Sequence, residues 1–521
     1  MRDRPLKTHL SDPYFVVAVL ISLGFSILFS YYSIMRYLVQ DATGFDLGIY
    51  SSALYSAMHG TLFHTNLLNG SFLGNHFSPF MFLLLAFFSV YPHNTTLLVI
   101  QAFAIGFAGV PAYMIYEMLD RSKSHRQLGL LLMILFEFAV ILIGPISFDF
   151  HLMALFPLFY LFTFYFLMRG NKILSLVFLA LSISLHAFFS VIMVLLLISI
   201  YLQKLWNDHH KVESQTSIVT LPFLFISSIL IIIYLIIAEH IKGIISGQSI
   251  DLVSLHSLMI YLKERYNITF SLGALDQYVY VKLLMVALML VGGGVFAFRY
   301  PILILPIIPY LLFSFFSGNA AYFIAGYQYT AMFAPVLVAG AAFSISKMAS
   351  SGILSNQKIK KGIVVSLIIM LIAVNFLLGP ISPIFSQNSF GNIESIYSFN
   401  YNETSIAVFS LRAYLNHSSS ILLQNNIYPP YFQFRNAYLL YSYNLVGNLG
   451  ALLKANFTYI IGDMCNPFYE QTAAVGISMQ SLIQYELHNG YGLLFDQYGI
   501  IAIERGYKGP VLHLQDNRLV E

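Results

Sequence analysis

The residues of this chain that are best suited to chemistry begin in a polar stretch, residues 46–79, which separates two apolar runs. Asp46 opens the stretch, and Asn75 and His76 lie near its end. A carboxylate at a membrane surface is partly desolvated, which raises its basicity, so Asp46 is a candidate general base. His76 is a candidate to bind a phosphate or to orient a hydroxyl, and its alternative role is to mark the headgroup boundary.

Asp46 also has a structural interpretation, as the N-cap of the segment that follows it. Apolar residues recur in that segment every three or four positions, at Leu47, Tyr50, Leu54 and Met58. This spacing predicts a helix that lies flat in the membrane interface. The capping role and the catalytic role of Asp46 are compatible, and the residues favour neither.

Two further motifs place ionisable groups beside apolar runs. Asp149 and His151 belong to the FDFH motif, and His186 lies inside the run SISLHAFFS. Ionisable side chains near the bilayer are costly unless they are paired or functional, so all three are substrate-binding candidates. The alternatives are a water-exposed loop for Asp149 and His151, and a buried structural group for His186. Because an aspartate and a histidine two positions apart lack a third ligand, no metal site is predicted.

Gln328 and Glu137 are polar residues in apolar surroundings. We interpret Gln328 as a hydrogen-bond donor into an external cavity, although an interfacial aromatic belt explains the neighbouring tyrosines without any function. Glu137 lies in the middle of an apolar run. We expect it to pair with a polar group on another helix.

Composition assigns the chain to the membrane proteins. Of its 521 residues, 58% are hydrophobic and 9% are charged, whereas soluble domains carry about 25% charged residues. The net charge of +3 is small, and no basic tract with interleaved aromatics occurs, so no nucleic-acid partner is expected. Cys465 is the only cysteine, which excludes an internal disulfide. No Walker loop, dinucleotide glycine motif or nucleophile elbow identifies a cofactor.

Nine runs are apolar enough to cross a membrane as helices. They are residues 14–35, 95–116, 128–146, 152–168, 217–238, 280–298, 301–317, 329–346 and 363–384. Two more runs are ambiguous. Residues 77–91 form either a re-entrant segment or a full span, and residues 173–203 form either two short spans or one long tilted helix. Either combination predicts a polytopic α-helical membrane protein of about eleven spans.

Basic residues favour the cytoplasmic side of a membrane and so orient the predicted spans. Arg2, Arg4 and Lys7 precede the first run, which predicts an uncleaved first span with a cytoplasmic N-terminus. The C-terminus is then external in both combinations. We prefer the combination with a re-entrant segment, because it places the stretch after Asp46, the FDFH motif and His186 on one external face.

Other sequence features agree with that preference. Basic residues that include Arg169, Lys204 and Lys347 then lie at internal span ends. Six N-x-S/T sequons fall on the external face: Asn69, Asn94, Asn267, Asn402, Asn416 and Asn456. Such acceptors mark external loops where the host glycosylates them, and chance occurrence is the alternative.

The last part of the chain has short elements instead of long apolar runs. SSILLQNN and FTYIIGD predict short buried strands, and residues 429–443 between them predict a mixed helix–loop segment. Residues 478–490 predict a helix, and residues 491–506 predict a β-hairpin that turns near Asp496–Gly499.

These patterns divide the chain into two predicted domains. Residues 1–384 form the membrane domain, with an external loop at 36–79. Residues 385–521 form a small external α/β domain, which is long enough to bury a core of its own.

Several of the motifs, taken in order, resemble a known family. FDLGIY, NHFSP, FDFH and the YQYTAMFAPVLVAGAA span are similar to the predicted membrane proteins of domain of unknown function 2079 (DUF2079). The resemblance covers most of the chain, including the C-terminal QNNIYPPY and FTYIIGD segments. In layout this family is similar to the type-C (GT-C) glycosyltransferases, which carry an acidic residue in an external loop after the first span.

The resemblance implies an activity. A type-C glycosyltransferase moves a sugar from a polyprenyl-phosphate donor, and its acidic residue is the catalytic base or holds the acceptor. Asp46 matches that position, and His76 and Asp149 match neighbouring polar positions. The chain departs from the family at residues 184–186, where Ser-Leu-His replaces a Lys-Glu-Asp triplet, and at Gln328, where many relatives carry a histidine. These departures imply an altered substrate, a different contact to the donor phosphate or a lost activity.

The leading hypothesis is therefore a membrane glycosyltransferase that acts on the external face, with Asp46 as its catalytic residue. Its expected partners are membrane lipids and a polyprenyl-phosphate sugar donor. The expected substrate-binding residues are Asn75, His76, Asp149, His151, His186 and Gln328. The alternative is a transporter or a non-catalytic membrane protein with an external domain. A transporter tends to hold ionisable residues near the bilayer midplane and to show internal repeats, whereas these motifs cluster at span ends and no repeat is visible.

Overall fold

A computed structural model describes residues 12–120, 125–210, 219–247, 272–382, 395–440, 452, 454–466, 476–515 and 518–520. Arg2, Arg4 and Lys7, which orient the predicted N-terminus, lie outside these ranges, and so does the Asn267 sequon. Helices make up most of the described residues up to 378, and most of the described strands follow them.

The first helix, α1, shows how the sequence determines a helix start. The Asp12 carboxylate accepts a hydrogen bond from the Tyr14 N–H at 3.1 Å, and Pro13 takes the first helical position. Both features favour a helix start. The helix continues over 26 residues, Pro13–Leu38, and is therefore about 39 Å long at 1.5 Å per residue. This length exceeds the thickness of the hydrocarbon core, about 30 Å.

The helical elements follow one another along most of the chain. Up to residue 246 the helices are α1 Pro13–Leu38, α2 Ile49–Met58, α3 Phe72–Asn75, α4 Phe80–Val90, α5 Asn94–Phe107, α6 Gly109–Leu119, α7 Arg126–Glu137, α8 Val140–Ser147, α9 Phe156–Arg169, α10 Lys172–Leu185, α11 Phe189–His209 and α12 Leu221–Ser246. The later helices are α13 Leu272–Asp276, α14 Val279–Met289, α15 Val295–Ala297, α16 Ile308–Phe315, α17 Ala334–Ser350, α18 Gln357–Leu378, α19 Glu403–Tyr414 and α20 Met479–Leu487.

Shorter helical turns lie between these helices. The 3₁₀ turns are Leu152–Leu155, Pro301–Ile307, Ala320–Phe323, Gln328–Met332, Ile353–Ser355, Ile396–Ser398 and Pro429–Tyr431. The π-helical turns are Gly44–Gly48 and Leu290–Gly294.

Among the described residues, six helical segments are long and apolar enough to cross a membrane. The pair α7 and α8, which is bent by 41°, makes a seventh if it is counted as one span. All nine predicted apolar runs overlap helical segments. The chain is therefore a mainly helical membrane protein, as predicted, and the total of about eleven spans stays a prediction.

The structure separates the interpretations of the two ambiguous runs. Helix α10 ends at Leu185 and α11 begins at Phe189, so one long helix over residues 173–203 is wrong. Helix α4 has 11 residues, and a helix of that length spans about 16 Å. Residues 77–91 are therefore too short to cross about 30 Å of hydrocarbon on their own.

The C-terminal strands build a five-stranded sheet in the order β4–β3–β5–β7–β6. Strands β4, β3 and β5 are parallel, and β5, β7 and β6 are antiparallel. The strand bounds are β1 His64–Thr65, β2 Gly70–Ser71, β3 Ser420–Leu423, β4 Asn436–Leu439, β5 Tyr459–Asp463, β6 Tyr491–Gln497, β7 Ile500–Arg505, β8 His513–Gln515 and β9 Arg518–Val520.

Most of the predicted C-terminal elements are confirmed. Strands β3 and β5 and helix α20 lie where the sequence predicts them. Strands β6 and β7 form the predicted hairpin, whose turn residues Tyr498 and Gly499 have φ angles of 54° and 80°. Two consecutive positive φ angles are typical of the type I′ turn that matches the strand twist. Strand β4 was predicted as part of a helix–loop segment and is extended because it pairs with β3.

The C-terminal residues pack directly on the helices. One apolar core contains Phe29 of α1, Leu84 of α4, Ile421 of β3 and Tyr428, which follows β3. A second, smaller core lies between the sheet and α20 and includes Ile483. The large core holds the segment around Tyr428 against the turn before α2, and that turn carries Asp46.

Candidate functional site

Asp46 lies in the π-helical turn Gly44–Gly48 between α1 and α2. Both glycines of this turn are in close contact with Tyr428. A Cβ added to Gly48 would lie 2.6 Å from Tyr428 Cδ1, and a Cβ added to Gly44 would lie 2.9 Å from Tyr428 Cβ. The turn therefore needs glycine on both sides of Asp46 to let the C-terminal segment approach.

A hydrogen bond ties the same turn to the C-terminal segment. The Gly44 N–H donates to both the side-chain oxygen and the backbone oxygen of Asn425, each at 2.9 Å. Asn425 belongs to the QNNIYPPY motif, whose polar residues Gln424, Asn425 and Asn426 are all buried. Buried amides of this kind cost free energy unless their hydrogen bonds are made. The motif therefore forms a rigid support for the turn that carries Asp46.

The rest of the motif is fixed on the sheet and on α5. Asn426 Nδ2 donates to Asp463 Oδ2 at 2.9 Å, and Gln424 Oε1 accepts from the Asp463 N–H at 2.9 Å. Asn94 Nδ2 donates to the Pro429 carbonyl at 2.6 Å and is fully buried. For the Asn94 sequon, this burial favours the alternative of chance occurrence.

The structural interpretation of Asp46 is wrong. Neither the turn Gly44–Gly48 nor α2 has a side-chain cap, so Asp46 is not an N-cap. Residues 49–54 of α2 are buried, and Met58 at its end is exposed. That α2 lies flat in the membrane interface stays a prediction.

Asp149 lies next to this turn and carries the second carboxylate. It is buried, and its Oδ2 accepts hydrogen bonds from the Thr43 N–H (2.8 Å) and from the Thr43 hydroxyl. Burial raises the pKa of Asp149 to about 6, although the positive charge of Arg36 and the Thr43 bonds oppose that rise. Arg36 itself is paired with Asp41 at 2.5 Å.

The two carboxylates affect each other. Burial, and then the negative charge of Asp149, raise the pKa of Asp46 well above its usual range. Asp46 is partly buried and has no hydrogen-bond partner among the described residues. Asp149, in contrast, is held by Thr43 and faces a cation. A basic, unconstrained carboxylate beside a fixed one is suited to accept a proton.

His151 is joined to Asp149 through Gln101. Gln101 Nε2 donates to the Asp149 carbonyl (3.2 Å), and its Oε1 accepts from the His151 N–H (2.8 Å). His151 Nδ1 accepts from the Met153 N–H at 3.1 Å, which leaves the proton of the neutral ring on Nε2. Burial lowers the pKa of His151 to about 3, so the ring is neutral at pH 7. Tyr50 packs edge-on against this ring, with centroids 5.5 Å apart.

His186 and His76 form an imidazole pair. His186 lies in the break between α10 and α11, and its Nδ1 accepts from the Phe188 N–H at 3.1 Å. Its Nε2 therefore carries the proton and donates to His76 Nδ1, 3.3 Å away. Burial, and then the positive charge of Lys242, lower the pKa of His186 to about 4. The two imidazoles are thus joined by one hydrogen bond, from His186 to His76.

Lys242 is the cation of this region that the sequence interpretation missed. It lies in α12, and its Nζ donates to Glu239 Oε2 at 2.9 Å. The predicted span ended at residue 238, whereas α12 continues to Ser246. The polar group Glu239-His240-Lys242 at the end of the most apolar run was the signal available.

The contacts bring most of the predicted site residues together in one region. Asp46 interacts with Asp149 and Tyr50, Tyr50 contacts His151, and His151 interacts electrostatically with His186. Their roles remain predictions.

Asn75 and Gln328 are the remaining predicted site residues. Asn75 ends α3 directly before His76. Gln328 is buried against α8, and its Oε1 has no hydrogen-bond partner among the described residues. No hydrogen bond joins Gln328 to the set around Asp46 in the described part of the chain.

Glu137 lies apart from this region, in the bend between α7 and α8. Its Oε1 accepts from the Ser22 hydroxyl of α1 at 2.5 Å, which is the interhelical pairing that we predicted. In the described ranges, no three His, Cys, Asp or Glu side chains are grouped so that they could hold a metal ion.

Comparisons with known proteins identify a family and find similar solved structures. A family model described as predicted membrane protein (DUF2079) matches residues 36–502. No curated protein matches the chain. A crystal structure of ArnT from Cupriavidus metallidurans bound to undecaprenyl phosphate is similar, with a TM-score of 0.49 and 11% identity over 93% of this chain and 97% of that chain. A likeness at this level does not assign an activity.

Proposed function

The chain belongs to the DUF2079 family of predicted membrane proteins, and we propose that it is a glycosyltransferase that uses a lipid-phosphate-linked sugar. The observation that carries the proposal is the convergence of Asp46, Asp149, His151 and His186 at one end of the helices. The order of the DUF2079 motifs, which resembles the type-C layout, supports the same activity.

The carboxylate pair supports a role for Asp46 as the general base. Asp149 has a pKa of about 6 and is therefore mostly ionised at pH 7. Its charge disfavours the ionisation of Asp46 and makes Asp46 the more basic group. In the proposed step, an acceptor hydroxyl oxygen attacks the anomeric carbon of the sugar and its proton passes to Asp46. The bond from that carbon to the phosphate oxygen breaks, and the lipid phosphate leaves with the electron pair.

The leaving phosphate needs hydrogen-bond donors or cations. Lys242 supplies a positive charge beside His186. His186 is a neutral imidazole at pH 7 and donates a hydrogen bond from its Nε2 to His76 Nδ1. We propose that Lys242 and His76 hold the phosphate, and that His151 orients the sugar through its Nε2 proton.

The other candidate residues have proposed roles in the same scheme. Asn75 and Gln328 are assigned to substrate binding, Gln328 because its buried Oε1 has no partner among the described residues. The C-terminal segment fixes the Asp46 turn through Asn425. We place this end of the helices and the C-terminal domain on the external side, with the N-terminus in the cytoplasm.

The position of the site argues against the transporter alternative. Asp46, Asp149, His151 and His186 all lie between helices, at helix ends. Ionisable groups of transporters tend to lie near the bilayer midplane. Glu137, in contrast, lies in the middle of the predicted span 128–146. It accepts a hydrogen bond from Ser22 of α1 and lies apart from the site.

The test is a comparison of strains of the native host that lack the protein, carry the wild type or carry single variants. Lipid-linked sugars and surface glycans are profiled by mass spectrometry. Asp46→Asn should lower the product by about 10²–10⁴-fold, the usual contribution of a general base. Asp496→Asn makes the same chemical change at an exposed residue of the β6–β7 hairpin and should leave the product unchanged. Identical glycans in the wild-type and deletion strains would show that the proposal is wrong.

A further inference from the structure

A second polar feature lies at the other end of the same helices. Gln203, Lys204 and Asn207 of α11 and Lys347 of α17 line one pocket between these helices. Nothing in the proposed transfer reaction uses these residues.

Three helices relate this pocket to the site around Asp46. Helix α11 begins just after His186, and Lys204 lies fifteen residues further along it. This separation corresponds to about 22 Å along the helix axis. Helix α17 begins soon after Gln328 and carries Lys347 in its last turn, and α9 follows His151 and carries the pocket residue Met168 near its end. The pocket therefore lies at the opposite end of the bundle from the carboxylates.

The chemistry of the lining is mixed. Two of its eight residues are lysines, none is acidic, and Ile200 and Phe343 belong to its apolar wall. Gln203 Nε2 donates to Asn207 Oδ1 at 3.1 Å. That bond uses the acceptor of Asn207 and leaves its Nδ2 group as a donor beside Lys204. Lys347 lies over the ring of Phe343, with Nζ 5.8 Å from the ring centroid.

Cations and an amide donor suit a phosphate, and an apolar wall between membrane helices suits acyl chains. Basic pockets between membrane helices bind the headgroups of anionic lipids. We propose that the pocket formed by Gln203, Lys204, Asn207 and Lys347 is a binding site for an anionic phospholipid. In the topology that we prefer, this lipid belongs to the cytoplasmic leaflet. The proposal does not rest on the glycosyltransferase activity, because it concerns other residues at the other end of the bundle.

The test uses the full chain, purified in a mild detergent. Phosphatidylglycerol and phosphatidylcholine are titrated separately, and bound lipid is counted by native mass spectrometry. The wild type should retain phosphatidylglycerol selectively. The double variant Lys204→Gln/Lys347→Gln should bind it about thirtyfold more weakly, since each lysine near anionic lipid contributes a factor of about five.

A matched control removes two exposed lysines of α18, Lys358→Gln/Lys361→Gln. This control should bind phosphatidylglycerol like the wild type. Equal loss in both double variants would mean a general effect of surface charge and would overturn the proposal. Displacement of phosphatidylglycerol by an equal concentration of inorganic phosphate would also overturn it, because the site would then be one for free phosphate.

A second variant keeps the proposal testable if the double lysine variant does not fold. Asn207→Leu keeps both charges and removes the amide donor. Its thermal unfolding midpoint reports folding, and its affinity for phosphatidylglycerol should fall about fivefold. An Asn207→Leu protein that is folded and binds phosphatidylglycerol like the wild type would contradict the proposed site.

Discussion

The two ends of the helix bundle differ in charge and in cover. One end holds the carboxylates Asp46 and Asp149 together with the cations Arg36 and Lys242, and the C-terminal segment packs on it. The other end holds Lys204 and Lys347 in a pocket without an acidic residue among those that line it. The same helices supply both ends, so the difference arises in the residues that begin and end them. A covered end with basic carboxylates suits proton transfer, whereas a basic end suits binding of an anion.

After loss of Asp46 itself, the largest expected effect comes from the contact between Tyr428 and the turn that carries Asp46. Gly48→Ala places a Cβ 2.6 Å from Tyr428 Cδ1 and must shift the turn that carries Asp46. A displacement of about 1 Å at a reacting group can cost about 10²-fold in rate. We expect a loss of that size in glycan product. Gly24→Ala in α1 is the control, because nothing lies within 4 Å of its added Cβ.

A double variant sharpens this test. Tyr428→Leu relieves the clash and should restore part of the product in the Gly48→Ala background. If Gly48→Ala and Gly24→Ala behave alike, the contact between the two regions does not position Asp46.

The hydrogen bond that supports the turn should have a smaller effect. Asn425→Ala removes the side-chain acceptor of the Gly44 N–H and leaves its backbone acceptor, so the loss of one hydrogen bond should cost about 0.5–1.5 kcal/mol in the free energy of unfolding. Asn425→Asp keeps an acceptor oxygen at the same position and is the matched control. Thermal unfolding in detergent measures both variants. Equal stability of the alanine variant and the wild type would contradict the supporting role of Asn425.

The charge of Asp149 should move the pH dependence of the activity. Asp149→Asn removes the negative charge that raises the pKa of Asp46. Asp46 then loses its proton at lower pH, so the acid limb of the pH–rate profile should shift to lower pH by about one unit. The control is Asp496→Asn. A limb that does not move, or moves to higher pH, would mean that Asp46 is not the titrating base.

The smallest expected effect concerns His186. Its folded-state pKa is about 4, below the ordinary value of 6.5, so the unfolded chain binds the extra proton first. The stability that His186 contributes is present above about pH 6.5 and is lost as the pH falls towards 4.

The carboxyl of Asp149, with its pKa raised to about 6, acts with the opposite sign in the same range. The variant His186→Gln removes only the imidazole contribution. Its unfolding midpoint should therefore fall less than that of the wild type between pH 7 and pH 5, by about 2 °C. An identical fall in both proteins would contradict burial of a neutral His186.

The sequence predicts the helical part well, because hydropathy reports burial in lipid directly. The nine predicted apolar runs overlap helices, and the strands at 420–423 and 459–463 lie where short buried apolar runs predict them. Local pattern could not show that Tyr428 and Asn425 cover the turn of Asp46, since Gly44 and Asn425 are 381 positions apart.

The same limit explains the wrong capping interpretation of Asp46. Its position before an amphipathic segment allowed an N-cap, whereas the turn that carries it has no side-chain cap and packs on the distant Tyr428. Lys242 was missed for a different reason. The predicted span stopped at the first charged residue, although the helix continues to Ser246.

The most direct test of the shared site is an experimental structure of the full chain with polyprenyl phosphate. We expect the phosphate within about 3 Å of Lys242 or His76, at the end of the bundle that carries Asp46. A polyprenyl phosphate bound only in the pocket of Lys204 and Lys347, or Asp46 and His76 on opposite faces of the protein, would show that there is no shared site.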